Sequence, residues 1–243
     1  MAVVTAIVGV GPGNGAHFAR TFANGGNAAA KGGHAVALMA RSQDYVAELA
    51  EEIAAAGGKA LAVPVDITDE RAVSDAFAKV RADLGEVDNL IQNAAMGQRG
   101  PFMDIPPDGF NQSFQVSVMG MVHCCREVLP GMERKGAGSI ILIGATAAFR
   151  GGAGFSAFAV AKFGQRALAQ SIAREYMPKG IHVAHVNIDG VIDSERSRQR
   201  MSDKPDEFFL HPADIAAAVW YLVHQPRSTW THELDLRPYV EKW

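Results

Sequence analysis

Short runs of β-branched and aliphatic residues alternate along this chain with longer stretches of helical period, and that alternation leaves few folds open. The strand-like runs are residues 3–8, 35–39, 60–65, 89–92, 140–143, 182–188 and 233–236. Helical patterning falls between them, at 16–22, 45–56, 70–84, 110–135, 155–177 and 213–224. Strands joined through a helix run parallel, so the pattern predicts repeated βαβ units. A parallel sheet is covered by helices on both faces and needs apolar side chains on both. With 48% apolar residues in 243, the chain can meet that demand within one domain. The expected architecture is α/β: a doubly wound seven-stranded parallel sheet, order 3-2-1-4-5-6-7, in a three-layer αβα sandwich spanning residues 1–243.

Local punctuation supports these boundaries. Thr68 or Asp69 can cap the third helix, Gly57-Gly58 ends the second, and His211-Pro212-Ala213-Asp214 opens the last. The helix at 110–135 has apolar residues at 114, 118, 121, 122, 125, 128, 129 and 132, one stripe for burial. That stripe makes Cys125 a core residue and Cys124 its partly covered neighbour. Adjacent cysteines do not form an ordinary disulfide, and no spaced pair suggests zinc, so no metal is expected and a reducing compartment is the simple reading. The apolar N-terminus lacks a basic leader and runs into a glycine loop, and no apolar run reaches the roughly 20 residues of a membrane span. A cytoplasmic location follows as an expectation. A net charge of −3 gives no reason to expect nucleic acid or an anionic membrane as partner. Arg196, Arg198 and Arg200 then read as a solvated helix face. The glycine-rich stretch at 24–33 is longer than a βαβ connection needs and reads as a surface insertion.

The first strand ends in Gly9-Val10-Gly11-Pro12-Gly13-Asn14-Gly15, and a helix follows. Glycines in that place let the backbone turn tightly and approach a pyrophosphate, while the helix start offers unpaired N–H groups and a positive dipole end. The loop therefore predicts a bound dinucleotide. After the second strand a site for NAD usually has an acid for the ribose 2′-hydroxyl. This chain has Arg41 and Ser42 instead, which suit a 2′-phosphate, so NADP(H) is favoured over NAD(H). A solvated loop arginine is the plain alternative.

Gly9-x-x-x-Gly13-x-Gly15, Asp66-Ile67, Asn93-Ala94-Ala95, residues 140–144, the helix with Lys162, and Gly180-Ile181-His182 together resemble the short-chain dehydrogenase/reductase family over essentially the whole chain. The resemblance implies a Rossmann-type fold. It places Asp66 and Ile67 at the adenine, and Asn93, Ala94 and Ala95 along the adenosine and its ribose. Lys162 would then hold the nicotinamide ribose, and Ile192 and Ser194 lie where the family touches the nicotinamide carboxamide. Family members usually pair through their two long helices, here 110–135 and 155–177, implying a homodimer or homotetramer. The aromatic C-terminal stretch from Trp230 to Trp243 reads as a further subunit contact.

Of the family's Asn, Ser, Tyr and Lys, only the lysine stands here. Phe158 occupies the tyrosine position four residues before Lys162, Ala145 the serine position, and Ser117 the asparagine position. A positioned general acid contributes about 10²–10⁴-fold and one oxyanion donor about 10²–10³-fold, so ordinary carbonyl reduction should be severely impaired. Three explanations remain open: a small-molecule substrate such as an imine or enone that needs no tyrosine; a substitute acid; or a dinucleotide-binding protein without redox turnover, regulatory, structural or a lyase. Thr146 is the nearest substitute. Ser156, His123, His185 and Asp189 are more remote and have plainer readings: helix cap for Ser156, satisfied strand residue for His185, turn former for Asp189. Ala145, Phe155, Phe158 and Met96, with Phe149 nearby, outline an apolar substrate pocket or simply core. Residues 195–209, within a 189–210 segment, read as a short substrate lid over a small or open-sided site.

Overall fold

The computed structural model describes residues 2–26 and 33–241. β1 (Val4–Val8) leads into α1 (Asn14–Ala23), β2 (Ala35–Ala40) into α2 (Gln43–Ala55), and β3 (Lys59–Pro64) into α3 (Glu70–Asp83). β4 (Asn89–Gln92) is followed by α4 (Pro107–Phe114) and α5 (Gly120–Lys135), and β5 (Gly138–Ile143) by α6 (Ser156–Tyr176). Then come β6 (Ile181–Ile188), β7 (Val191–Ile192), α7 (Glu195–Arg200), β8 (Phe209–Leu210), α8 (Pro212–Val223) and β9 (Glu233–Leu236). Seven strands form one parallel sheet in the order β3-β2-β1-β4-β5-β6-β9, with β7 and β8 in a separate parallel ribbon. This is the doubly wound order that the alternation predicts. It reverses between β1 and β4, where a crevice opens at the strands' C-terminal ends.

Alternate residues of the central strands supply two separate cores. Ala6, Val8, Leu90, Ile140 and Leu142 face Val73, Phe77 and Val80 of α3, Met121 and Val128 of α5, and Ile172 of α6. Ile7, Ile91, Ile141 and Ile143 face Phe18 and Phe22 of α1, Val46, Leu49 and Ile53 of α2, and Ile215 and Val219 of α8. Asp69 is the cap of α3, its carboxylate accepting from the N–H groups of Arg71 and Ala72, whereas Thr68 turns back onto Asp66. Cys124 is fully buried rather than partly covered, and both cysteines are unpaired.

The stretch at 110–135 is not one regular helix. Gln115–Met119 forms a π-helical turn between α4 and α5. The extra residue in that turn rotates what precedes it by about 100° against the stripe that follows. The stripe is accordingly buried at 118, 121, 125, 128, 129 and 132, while Phe114 is 38% exposed. Around the glycine-rich stretch, Gly26 takes φ +90° hard against the Trp220 indole, and residues 27–32 lie outside the described residues. In the aromatic C-terminal stretch Trp230 stacks on His182 with centroids 4.9 Å apart, while Tyr239 is 87% exposed and Trp243 lies outside the described residues. Among the described residues, no helix is long and apolar enough to cross a membrane, and no three potential metal ligands cluster.

Phe77 is completely buried where α3 meets the sheet. Truncating Phe77→Ala should lower unfolding stability by about 3–5 kcal/mol, read from the urea midpoint at unchanged slope.

Candidate active site

Because all seven strands are parallel, the loops after β1, β2, β3, β4, β5 and β6 lie along one edge of the sheet. The glycine loop, Arg41, Ser42, Asp66, Ile67, Asn93, Ala94, Ala95, Ala145 and Thr146 fall in or beside those loops, and Ser117 and Lys162 on the helices that follow, whereas His185 lies inside β6. At the loop after β1 the N–H groups of Gly9 and Val10 both donate to Met39 O, at 2.8 and 3.2 Å. Asn93 Nδ2 donates to Gly9 O at 2.8 Å, and the N–H groups of Asn93 and Ala94 donate to Val8 O. The glycines divide into two kinds. At Gly9, with φ +89°, a Cβ would fall 2.4 Å from Ala94 N, and at Gly15 one would fall 2.7 Å from Gly9 O. These two are required by backbone packing. A Cβ on Gly11 or Gly13 would meet nothing within 4 Å, so these two border open space. No side chain caps the start of α1 at Gly13, and the buried Asn14 Oδ1 has no partner among the described residues. Open backbone and uncapped N–H groups fit a pyrophosphate.

Arg41 and Ser42 are exposed just past β2, and Ser42 stands at the start of α2 without using its hydroxyl as a cap. Asp66 accepts from Thr68 N at 3.0 Å and Thr68 Oγ1 at 2.8 Å. Those bonds, with a smaller contribution from the Arg41 charge, hold its carboxyl below the usual range. Ile67 is 7% exposed and packs on Gly120 of α5, where a Cβ would come within 2.5 Å of its Cδ1. Ala94 packs against Gly9, and Ala95 is exposed.

Lys162 is 3% exposed on α6, and its ammonium donates to Ile143 O at 2.8 Å and to Gln165 Oε1 at 2.9 Å. No carboxylate pairs with it among the described residues, and burial pushes its pKa down to about 7. His185, fully buried nearby on β6, is likewise pushed down to about 4 by burial and by the Lys162 charge. Neither of its ring nitrogens has a hydrogen-bond partner among the described residues, so it is not the satisfied strand residue expected.

The model of the short chain dehydrogenase family matches residues 3–205. This chain belongs to that family. Among curated proteins, it is 29% identical over 232 residues to the 7alpha-hydroxysteroid dehydrogenase of Escherichia coli (strain K12), covering 92% of this chain and 88% of that one. It is 30% identical over 186 residues to the 3-oxoacyl-acyl-carrier-protein reductase FabG of Salmonella typhimurium, covering 73% and 75%. Among solved structures, a short-chain dehydrogenase from Rhodopseudomonas palustris superposes with TM-score 0.82 at 35% identity, over 98% of this chain and 99% of that one. A metagenomic short-chain oxidoreductase in complex with NADP superposes with TM-score 0.83 at 26% identity, over 98% of each chain. The family is one of oxidoreductases.

The ring of Phe158, expected from the sequence at the tyrosine position, lies 5.9 Å from Lys162 Nζ and is pressed against Gly97, where a Cβ would lie 2.2 Å from Phe158 Cδ2. Ser117, in the π-helical turn, is buried; its Oγ accepts from Met96 N at 3.2 Å and donates to Met96 O at 3.1 Å. The hydroxyl thereby fixes the loop after β4 at Met96. Ala145 is extended at the end of β5, and the next residue, Thr146, donates its hydroxyl proton to Asp189 Oδ1 at 2.5 Å. Asp189 is 8% exposed and also faces Arg237 at 3.4 Å and Arg150 at 3.8 Å, so it ties β5 to β6 rather than serving only its own turn.

Ser156 does not cap α6: Phe155 holds the cap position, and Ser156 Oγ is buried without a partner among the described residues. His123 binds Ile67 O at 3.0 Å, on the α3–α5 side. Ile192 lies half-buried in β7 opposite Leu210, and Ser194 caps α7, accepting from Ser197 N at 3.1 Å. Phe155 and Phe149 are each 38% exposed, so the apolar pocket wall is partly open. Sequence reasoning missed Gln165 as the partner of Lys162, although helical i,i+3 spacing pointed to it. It also missed Arg99, whose guanidinium lies over Phe155, because nothing in a loop sequence signals a stack across α6.

The buried ammonium sets a pH dependence. Folded Lys162 loses its proton near pH 7 and the unfolded chain near the ordinary 10.5, so between these values the unfolded state binds more protons and stability rises with pH. Below the folded value the full cost of burying the charge is present. Stability of wild type relative to Lys162→Met should therefore improve from about pH 6 to about pH 8.5, as read by urea unfolding of both proteins without cofactor.

Proposed function

We propose that this chain is an NADP(H)-dependent oxidoreductase that acts without the family's tyrosine acid on an activated small-molecule substrate, an imine before an enone. The observation that carries the reading is Lys162, a buried ammonium without a counter-charge at the crevice edge that also carries the open glycine loop. Gly11, Gly13 and the start of α1 would hold the pyrophosphate, and Arg41 with Ser42 the 2′-phosphate. A solved relative carries NADP, and another, the 7α-hydroxysteroid dehydrogenase at 27% identity, carries NADH. The bound nicotinamide supplies the hydride. Lys162 would orient the ribose, and Phe158, Phe155, Met96 and Ala145 would keep water from the reacting carbon. Ser117 acts by holding Met96 in place. The Thr146 hydroxyl donates its hydrogen bond to Asp189, which leaves its oxygen to serve a substrate as an acceptor. An acceptor suits the N–H of a protonated imine, which already carries the charge that draws hydride, and does not suit a neutral ketone. Asp66, Ile67, Asn93, Ala94 and Ala95 would border the adenosine, Ile192 and Ser194 the carboxamide, and α7 would serve as a lid. Phe163 and Val160, 43% and 54% exposed on α6, favour a homo-oligomer built on this helix and its α4–α5 neighbour.

Nicotinamide fluorescence should show NADPH binding at least about tenfold tighter than NADH, with Arg41→Ala erasing the difference. Equal affinities in wild type would remove the role assigned to Arg41. In Ala145→Ser/Phe158→Tyr, ketone reduction should appear or rise by about 10²-fold or more, followed as NADPH absorbance. Tight NADPH binding with no consumption across ketone, imine and enone panels would point instead to a dinucleotide-binding protein without turnover.

A further inference from the structure

The three arginines of α7 do not behave alike. Arg198 is fully engaged: its Nε and Nη2 reach Asp193 at 2.6 and 2.9 Å, its Nη1 reaches Asp206 at 2.5 Å, and it lies 4.1 Å over the Phe209 ring. Arg196 and Arg200 are four residues apart, hence on one helical face and turned away from Arg198. Neither makes a hydrogen bond or ion pair among the described residues, and both are exposed. A third arginine, from elsewhere in the chain, feels the charges of that face. Arg99, in the loop after β4, places its guanidinium carbon 5.1 Å from the Phe155 ring centre and 5.3 Å from that of Phe158. Arg99 has no carboxylate partner among the described residues. Its charged neighbours are Arg200 and Arg196, which together with burial lower its pKa.

Arg99, Arg196 and Arg200, none with an ion-pair partner among the described residues, repel one another, an arrangement that a bound anion would relieve. Stacking on two phenyl rings also limits the orientations of the Arg99 guanidinium while leaving its N–H edge available, the preparation that bidentate recognition of an oxyanion needs. The place matters as much as the charge. The Phe158 ring lies 5.3 Å from Arg99 and 5.9 Å from Lys162 Nζ, so a small molecule lying along that ring reaches both. The pyrophosphate and Arg41 are served by the loops after β1 and β2, whereas Arg99 follows β4 and faces the substrate side.

We propose that Arg99, Arg196 and Arg200 form an oxyanion clamp at the substrate mouth, and that the substrate carries a carboxylate or phosphate remote from its reacting carbon. This rests on the oxidoreductase reading for the word substrate, but the clamp itself is testable without turnover. Phenylacetate, phenyl phosphate and neutral phenylacetamide share a ring that suits Phe155 and Phe158 and differ in charge. Calorimetric titration of each into the NADPH-saturated protein and into the protein alone, at low salt, separates the two readings. Both anions should bind at least about tenfold tighter than the amide, and about 0.5 M salt should remove most of that preference. The tighter of the two anions identifies the group as carboxylate or phosphate. Arg99→Gln and, separately, Arg196→Gln/Arg200→Gln should each reduce the anion preference to about threefold or less, with NADPH affinity changed by less than about twofold. The clamp is overturned if phenylacetamide binds as well as the anions, if none of the three binds, or if the preference survives in both variants. A failure of NADPH to bind defeats the cofactor reading instead, and leaves the anion preference of the protein alone to decide the clamp.

Discussion

One hydrogen bond, from Asn93 Nδ2 to Gly9 O, ties the end of β4 to the turn that follows β1. The two strands lie side by side where the sheet order reverses, so this bond closes the base of the crevice on which the rest of the site stands. Gly9 is required there because the Ala94 backbone occupies the space of any side chain, and Gly15 because the carbonyl of Gly9 does the same. With both ends of the loop pinned, its middle, Gly11 and Gly13, is left facing open space.

Lys162 illustrates the opposite economy, since a charge is buried with only neutral acceptors around it. Its two bonds go to a backbone carbonyl and to an amide, and neither supplies a compensating negative charge. Sequence-adjacent apolar residues account for the burial, and the Phe158 ring beside the ammonium offers it no hydrogen-bond acceptor. The nearby Thr146–Asp189 pair joins the C-terminal ends of β5 and β6, and with the hydroxyl hydrogen engaged by the carboxylate only acceptor capacity is left on the threonine.

The seven strands of the main sheet were legible in the sequence to within a residue or two, the inner ones because burial on both faces makes them continuous apolar runs, whereas β7 and β8 were not foreseen. The glycine loop was legible as a unit, but the division of labour among its four glycines was not, since each residue looks the same until Ala94 and Val10 are placed beside it. The π-helical turn left no mark, because one extra residue in a helical turn changes phase and not composition. Asp189 read as a turn former because its partner, Thr146, lies 43 residues away in sequence. His185 and Ser156 were misread for a related reason: polar residues in regular elements usually find local partners, and these two do not. The equal spacing of Arg196, Arg198 and Arg200 suggested one solvated face, yet the acids that engage Arg198 leave the other two aside.

The phase change at Gln115–Met119 uncouples two jobs that a regular helix would force together. Beyond it, α5 is committed to the buried core; before it, α4 answers to the loop after β4, with Ser113 Oγ accepting from Gln98 N at 3.4 Å. The side chains of α4 are thereby presented to the loop after β4 and to α6, out of phase with the stripe that α5 turns to the sheet. The turn is in effect a swivel: one continuous helical rod offers one face to the body of the fold and, a turn earlier, a different face to the loop that borders the site.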